Sequence, residues 1–352
     1  MIVKVITSPL QTVKCRGFLF DFDGLKCVRS SQKAVYNKLG CDSIQAVGHV
    51  LECHDCLNIK GAAMKKLLPI FAMCCVCSAH AQAIKTTPVT LNFNAIAKTE
   101  KGTFVPVNCQ DSYLFGSENS KAALADLRFY VSNVQVLTKN GKKLPVKLTD
   151  NDFQQHDVGL IDLENGTGYC ATRGDEQTNQ VLSGVVQGKY RPSELVGVSF
   201  EIAVPNAKNH SLFSSSEAPL NLQAMSWAWL SGRKFMKVEL DVFDKVHNLA
   251  DDSRVSLYNV HFGRTGCTGD VATGEIECAK NNRIEVSLTD KHWQQKNITL
   301  DLNALFIKNN IRQNQNAAIG CMSAETDKDC AGVFTMAGLS GEPQRIFYLT
   351  DR

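Results

Sequence analysis

Histidine and tryptophan residues in the second half of the chain have the types and positions that suit metal and redox chemistry. His210 lies in a loop rich in Asn and Ser, and His261 ends a β-type segment just before several glycines. A neutral imidazole at a rigid strand end is a common copper or zinc ligand, although a hydrogen-bonded or exposed histidine fits the same pattern. Trp227 and Trp229 lie between the two histidines and share one face if the segment is extended. Indole is readily oxidised, but core packing is the simpler interpretation of this pair.

The chain has 14 cysteines, and their distribution changes at about residue 83, with eight before this point and six after it. An even number of cysteines in an exported domain predicts three disulfides, for which fifteen pairings are formally possible. Short sequence separations favour Cys267 with Cys278 and Cys321 with Cys330, which leaves Cys109 with Cys170.

A secretory signal begins well inside the chain. Met64 is followed by two lysines, an apolar run and then Ala81-Gln82-Ala83, which is the pattern of a signal peptide and its cleavage site. The apolar run is shorter than the roughly 20 residues of a membrane span, so we expect no stable span after signal removal. We predict a signal peptide at 64–83 and an exported domain at 84–352. Residues 1–63 are then a mis-called start or a gene-fusion remnant, and a signal-anchor with a cytosolic tail is the alternative.

The upstream segment contains one motif with possible chemistry. Residues 17–24 read Gly-Phe-Leu-Phe-Asp-Phe-Asp-Gly and resemble the first motif of haloacid-dehalogenase-type phosphatases. In that family the first aspartate, here Asp21, is the nucleophile and the second, here Asp23, is the general acid. Leu25 stands where the family has Thr, and the rest of such a domain has no room before the signal. We interpret the motif as a broken remnant.

The exported part has the pattern of an all-β fold. Short segments rich in β-branched and aromatic residues alternate with Asn-Gly and other glycine turns, and helical periodicity is limited to 120–125 and 303–308. These features predict one disulfide-stapled antiparallel β-sandwich domain. The predicted strands are 89–96, 127–137, 144–148, 158–163, 181–187, 195–204, 235–243, 255–262, 284–288 and 298–302.

Charge and motif content exclude several function classes. The net charge is +3 with no basic run, which argues against nucleic acid as a partner. Residues 84–352 contain no G-x-S-x-G, H-E-x-x-H, P-loop or dinucleotide-binding pattern. The sequence therefore gives no positive sign of a common enzyme class.

Several separate segments resemble one known family and occur in its order. They are Asp126–Leu137, Asn209-His210, Pro219-Leu-Asn221, Trp227-Ala-Trp229 with Gly232 and Phe235, His261–Cys267, Cys278 with Asn282-Arg283, and Asp301-Leu302. Over nearly all of residues 86–340 the chain is similar to the MbnP-like, methanobactin-associated periplasmic copper-binding proteins. These proteins are also known by the "metallo-mystery pair" four-Cys motif.

The resemblance implies a specific copper site. Family members are partnered by a di-haem MauG-like peroxidase of the MbnH type, which oxidises a tryptophan to kynurenine. The modified residue and two histidines then bind copper. Carried over to this sequence, the histidines are His210 and His261, and the oxidised residue is Trp227 or Trp229, between which the resemblance does not choose.

The resemblance also implies which cysteines form the family's four-Cys pattern and what the protein does. The pattern falls on Cys109, Cys170, Cys267 and Cys278, with Cys321 and Cys330 as an additional pair. The expected function is periplasmic copper acquisition or homeostasis by a protein that is the substrate of its partner and not itself an enzyme. Two alternatives stay open: a copper-dependent redox enzyme that uses the same histidines, and a metal-free β-sandwich binding module.

Overall fold

The computed structural model describes residues 85–352 except 228, 271–272 and 317, together with the backbone of four short upstream strands. The chain divides into two compact units, Met1–Ala83 and Ile84–Arg352. In the first unit, β1 (Phe18–Asp21) pairs with β2 (Lys26–Arg29), and β3 (Gln45–Val47) pairs with β4 (Val50–Glu52). Asp23 of the phosphatase-like motif, the predicted signal peptide at 64–83 and the rest of the predicted remnant lie outside the described residues.

The second unit consists mainly of strands, with three short helices. The strands are β5 (Thr86–Lys98), β6 (Phe104–Pro106), β7 (Ser112–Phe115), β8 (Ser120–Thr138), β9 (Lys143–Leu148), β10 (Gln154–Gln155), β11 (Val158–Asp162), β12 (Val181–Gln187), β13 (Leu195–Ile202), β14 (Lys234–Asn248), β15 (Arg254–Gly263), β16 (Thr265–Asp270), β17 (Glu275–Lys280), β18 (Ile284–Thr289), β19 (Lys296–Asp301), β20 (Gln313–Asn314) and β21 (Phe347–Asp351). The helices are α1 (Asn206–Asn209), α2 (Leu302–Phe306) and α3 (Cys330–Ala337).

Strand β8 organises the sandwich. It is 19 residues long and pairs with β7, β9, β11, β13 and β14, so this one strand connects five others. Most pairings are antiparallel, and the predicted all-β, disulfide-stapled sandwich is confirmed. The exceptions are β19 beside β5 and β14 beside β20, which run parallel because a long connection brings each pair together.

An aromatic cluster forms the centre of the core. The rings of Phe93, Phe129, Phe200 and Phe347 meet edge to face, with centroids 5.7 to 6.0 Å apart. This geometry is favoured for aromatic pairs, and each ring comes from a different strand. The aromatic cluster therefore packs β5, β8, β13 and β21 against one another.

The predicted strands all occur, most of them longer than expected, whereas β11 and β13 end one and two residues early, and one predicted helix is wrong. Residues 120–125 form the start of β8, because pairing with β7 and β14 overrides the helical preference of the Ala-Leu sequence there. The predicted helix at 303–308 corresponds to α2, where the Asp301 side chain accepts a hydrogen bond from Ala304 N at 2.9 Å. Sequence reasoning missed the β16–β17 hairpin, the strands β6, β7, β10, β20 and β21, and the helices α1 and α3. In the part of the chain that the structure describes, no helix combines the length and the apolar character needed to cross a membrane.

The outward face of the central strands is buried but polar. Asp126, Arg128, Lys237 and Glu239 are each at most 4% exposed, although they alternate with core residues along β8 and β14. The loop after β11 contributes to their cover, because Arg128 donates to the backbone oxygen of Arg173 at 3.0 Å. His261, on the neighbouring strand β15, contacts Glu239 of this polar face.

Candidate metal site

His261 lies on β15 at the end of a row of charged residues that crosses three strands. It pairs with Lys237 of β14, which pairs in turn with Arg128 of β8. The residue is 5% exposed, and the imidazole Nε2 lies 2.9 Å from Oε1 of Glu239. A carboxylate at Nε2 favours the proton on that nitrogen and leaves the Nδ1 lone pair for a ligand.

Burial and neighbouring charges together set the charge states of this pair. Desolvation lowers the pKa of His261, although the Glu239 hydrogen bond acts in the opposite direction. Burial acts to raise the pKa of Glu239, but the hydrogen bond from His261 and the charges of Lys237 and Arg173 lower it to about 2. A neutral imidazole beside a carboxylate is the form that binds metals.

Behind Glu239, a buried ionic network fixes the carboxylate. Lys237 Nζ lies 3.3 Å from Glu239 Oε1 and also contacts Asp126. Asp126 in turn accepts a hydrogen bond from Arg128 Nε at 2.9 Å. Buried charges of both signs thus satisfy one another, and the orientation of the His261 ring depends on them.

The backbone of His261 is held by the segment around the Cys321–Cys330 disulfide. His261 N donates to Cys321 O at 3.0 Å, and Ser323 Oγ donates to His261 O at 2.9 Å. Both backbone groups of the histidine are therefore fixed by a segment about 60 residues away in sequence.

His210 is held differently, in the loop that follows α1. Its Nε2 lies 3.0 Å from the Asn209 side-chain nitrogen. Arg233 N donates to Asn209 Oδ1 at 3.2 Å, which fixes the amide so that its NH₂ group faces the imidazole. Nε2 of His210 is therefore an acceptor, and its lone pair faces this side of the loop.

A disulfide lies beside His210. Cys267 and Cys278 are opposite each other in the β16–β17 hairpin, and Cys278 Sγ is 3.7 Å from His210 Nε2. The two sulfurs and an imidazole nitrogen all lie within 4.8 Å of one another. In the oxidised form these sulfurs are not thiolates and are weak ligands.

Trp227 packs on the same strand as His261. A Cβ added to Gly263 would lie 2.4 Å from Cζ3 of the Trp227 ring, so the missing side chain makes room for the indole. Gly263 follows His261 by two positions and shares its face of β15. Trp229 starts a 3-10 turn at Trp229–Ser231, and its side chain lies outside the described residues.

The tryptophan segment and the histidine loop are joined through Gly232 and Arg233. Gly232 has φ +73° and fits against Asn209, whose side-chain nitrogen would be 2.5 Å from an added Cβ. Arg233 is buried and donates to Leu220 O at 2.9 Å. The structure thus connects His210 to the segment that carries Trp227.

Sequence reasoning missed three residues that position the site. Glu239 and Arg233 are charged residues in or beside a strand, a position that ordinarily predicts solvent exposure. Asn209 precedes His210, and nothing in its spacing indicates that it orients the ring. The three disulfides join the pairs that sequence spacing favoured, which are Cys109–Cys170, Cys267–Cys278 and Cys321–Cys330.

Comparison with known proteins gives a family for this arrangement. The MbnP family model matches residues 86–323, which is more than half of the chain. Among solved structures, MbnP from Methylosinus trichosporium is similar, with a TM-score of 0.65 and 29% sequence identity. That match covers 76% of this chain and 99% of the other. No curated protein sequence matches the chain. The chain belongs to the MbnP family.

Proposed function

We propose that this chain is an exported, methanobactin-associated protein that binds one copper ion through His210 and His261 in the periplasm. Its role is copper acquisition or homeostasis, with the metal as cargo. Family membership supports the methanobactin association, and the donor atoms of the two histidines support the metal.

The two histidines have the donor chemistry that copper needs. Glu239 at Nε2 of His261 leaves Nδ1 as the donor. The Asn209 amide keeps Nε2 of His210 unprotonated, and copper would take the lone pair that now accepts the Asn209 hydrogen bond. Imidazole nitrogen suits copper better than magnesium or calcium, which prefer oxygen ligands. The residues present therefore fit the ion.

In the same proposal, Trp227 or Trp229 is oxidised to kynurenine by a partner di-haem MauG-like enzyme. Two equivalents of peroxide, reduced to water at the partner peroxidase, would supply the two oxygen atoms that add as the indole C2–C3 bond breaks to give N-formylkynurenine. Hydrolysis by one water then releases formate and leaves an aniline beside a ketone. These groups provide nitrogen and oxygen donors where indole provides only an N–H. One observation carries this proposal: the Trp227 ring packs on Gly263, two positions from His261 on one face of β15.

Copper retention after desalting tests the metal site. We expect the wild-type protein to retain copper, as measured by elemental mass spectrometry, and His210→Ala and His261→Ala to lose it. His156→Ala is the matched control, because His156 is an exposed histidine paired with Asp150. Equal retention in all four proteins would place the metal elsewhere, and no retention in the wild type would favour the metal-free module.

Peptide mapping by mass spectrometry tests the modification and the export. Protein purified from the periplasm with its partner is expected to begin at Ile84 and to carry kynurenine at Trp227 or Trp229. Unmodified tryptophans in the presence of the partner would exclude the kynurenine mechanism but not a two-histidine copper site. Turnover of a reductant with oxygen by the copper-loaded protein would favour the redox enzyme instead.

A further inference from the structure

The three disulfides of the described chain differ in accessibility. Cys109, Cys170, Cys321 and Cys330 are each at most 2% exposed, whereas Cys267 and Cys278 are only partly buried. The hairpin around this last pair is largely open to solvent along both strands. A reductant in solution therefore reaches the Cys267–Cys278 sulfurs first.

The position of His210 beside these sulfurs matches the geometry of a shared metal ion. Metal–sulfur bonds of about 2.3 Å and metal–nitrogen bonds of about 2.0 Å, at angles of about 110–120°, put two ligand atoms about 3.5–3.7 Å apart. The observed distance from Cys278 Sγ to His210 Nε2 is 3.7 Å. The Nε2 atom carries no proton, because the Asn209 amide donates to its lone pair, and a metal ion bound beside Cys278 would displace that hydrogen bond.

We propose that reduction of the Cys267–Cys278 disulfide creates a Cu(I) site formed by both thiolates and the His210 imidazole. Two thiolates and one imidazole are soft donors that suit Cu(I), which accepts three ligands. This proposal rests on the proposed function in sharing His210 and extends it: the oxidised protein binds copper without thiolate, and the reduced protein binds it with two.

The chemical step is a thiol–disulfide exchange. A dithiol reductant supplies two electrons and two protons, so the S–S bond of the protein breaks, two thiols form and the reductant becomes a disulfide. Binding of Cu(I) then displaces the two thiol protons to solvent, because thiolates are the ligands. The copper ion does not change oxidation state in this step.

The hairpin keeps the two sulfurs together after reduction. On either side of the cysteine pair, Thr265 pairs with Lys280 and Thr268 with Glu277, and the register continues to the hairpin end. Residues directly opposite in an antiparallel pair have Cβ atoms about 5 Å apart, close enough for both sulfurs to reach one ion. The site therefore needs side-chain rotation and no rearrangement of the backbone.

The other two disulfides provide internal controls. Each has a carboxylate as its nearby third group, Glu164 for Cys109–Cys170 and Asp327 for Cys321–Cys330, and all of these residues are buried. We expect both to stay oxidised under mild reduction and neither to bind Cu(I).

The test combines mild reduction with alkylation and mass spectrometry on the full exported protein under anaerobic conditions. A dithiol is added at low concentration, Cu(I) is supplied from a chromophoric chelator, and iodoacetamide then labels the free thiols. We expect Cys267 and Cys278 to be labelled without Cu(I) and protected with it, while the four buried cysteines stay unlabelled. His210→Ala should reduce the protection, and Cys267→Ser/Cys278→Ser should lose the thiolate-bound copper of the reduced protein.

His261→Ala separates this proposal from the copper site of the oxidised protein. That variant should lose copper when oxidised and still show thiol protection when reduced. Failure of the oxidised protein to bind copper, with protection intact, would overturn the proposed function alone. Labelling of Cys267 and Cys278 at the same rate with and without Cu(I), or reduction of a buried disulfide first, would overturn the thiolate site.

Discussion

The two histidines of the candidate site lie in regions that hold them in different ways. His261 is on β15, which pairs with β14 along one edge, and it is 5% exposed, with its ring fixed by Glu239 and its backbone by the segment around Cys321. His210 follows a helix of four residues and is oriented by the Asn209 side chain beside a partly exposed disulfide.

Because of this difference, we expect substitutions in the two regions to act on different properties, protein stability in one and metal binding in the other. The ring position of His261 depends on a charged row across β8, β14 and β15, so changes there act on folding as well as on the metal. The ring position of His210 depends on a few loop hydrogen bonds. We therefore expect sheet substitutions to lower stability strongly and loop substitutions to change binding with a small effect on stability.

Asp126→Asn should give the largest effect. The Asp126 carboxylate contacts both Arg128 and Lys237 in the buried row, so its neutralisation leaves two buried cations with less compensation. Breaking a buried ion pair costs about 3–5 kcal/mol of unfolding free energy, which urea unfolding would measure. Asp244→Asn is the control, because the exposed Asp244–Arg312 pair should contribute less than about 1 kcal/mol. Equal effects of the two substitutions would contradict the importance of the buried row.

This buried row is also the part of the fold that the sequence could not predict. Lys237 and Glu239 alternate with Val238 and Leu240, and such alternation ordinarily indicates one core face and one solvent face. The strand was predicted correctly for that reason, but burial of its polar face depends on loops from distant parts of the chain. Local patterns contain no information about that cover.

The histidine–disulfide contact was unpredictable for a similar reason. His210 and Cys278 are 68 residues apart, and the hairpin that brings them together begins with the Thr- and Gly-rich β16. The glycines and the aspartate of that segment are depleted in strands, so its threonines alone give only a weak strand signal. The disulfide itself was favoured by the short separation of its cysteines, so the sequence predicted the bond but not its neighbour.

Glu239→Gln should weaken copper binding through His261. The amide keeps an acceptor for Nε2 but removes the negative charge that makes the imidazole a stronger ligand. Loss of such a carboxylate partner lowers metal affinity about 10–100-fold, which competition with a copper chelator would measure. Glu201→Gln is the control, because its pair with Arg283 at 2.5 Å is half-buried and on another strand. An unchanged affinity would mean that Glu239 only packs against the ring.

Asp162→Asn should change how stability depends on pH. Burial, opposed by Arg128 and assisted by Glu164, raises the pKa of Asp162 from 3.8 to about 9. The folded state then holds a proton that the unfolded state releases, so this stabilising contribution is complete below pH 3.8 and is lost as the pH rises towards 9. The free energy of unfolding then falls by at most about 1.4 kcal/mol per pH unit. The free energy of unfolding, measured with urea from about pH 6 to about pH 9, should fall more steeply for the wild type than for the variant. Parallel curves would exclude a proton on this carboxyl group.

Asn209→Asp should have the smallest effect on stability and test the loop side of the site. The carboxylate can still accept from Arg233 N, so the loop keeps that contact, but it cannot donate to His210 Nε2. It instead favours the tautomer with the proton on Nε2, so that Nε2 no longer has a lone pair for a metal ion. We expect a stability loss of about 1–3 kcal/mol, because Asn209 is fully buried and the hydrogen bonds from His210 and Arg233 only partly offset the desolvation of a carboxylate. Nitrogen NMR of the His210 ring should show Nε2 changing from acceptor to N–H, together with weaker copper binding. An unchanged tautomer, or a loss of stability as large as that of Asp126→Asn, would mean that the two histidine regions are not held as differently as the contacts indicate.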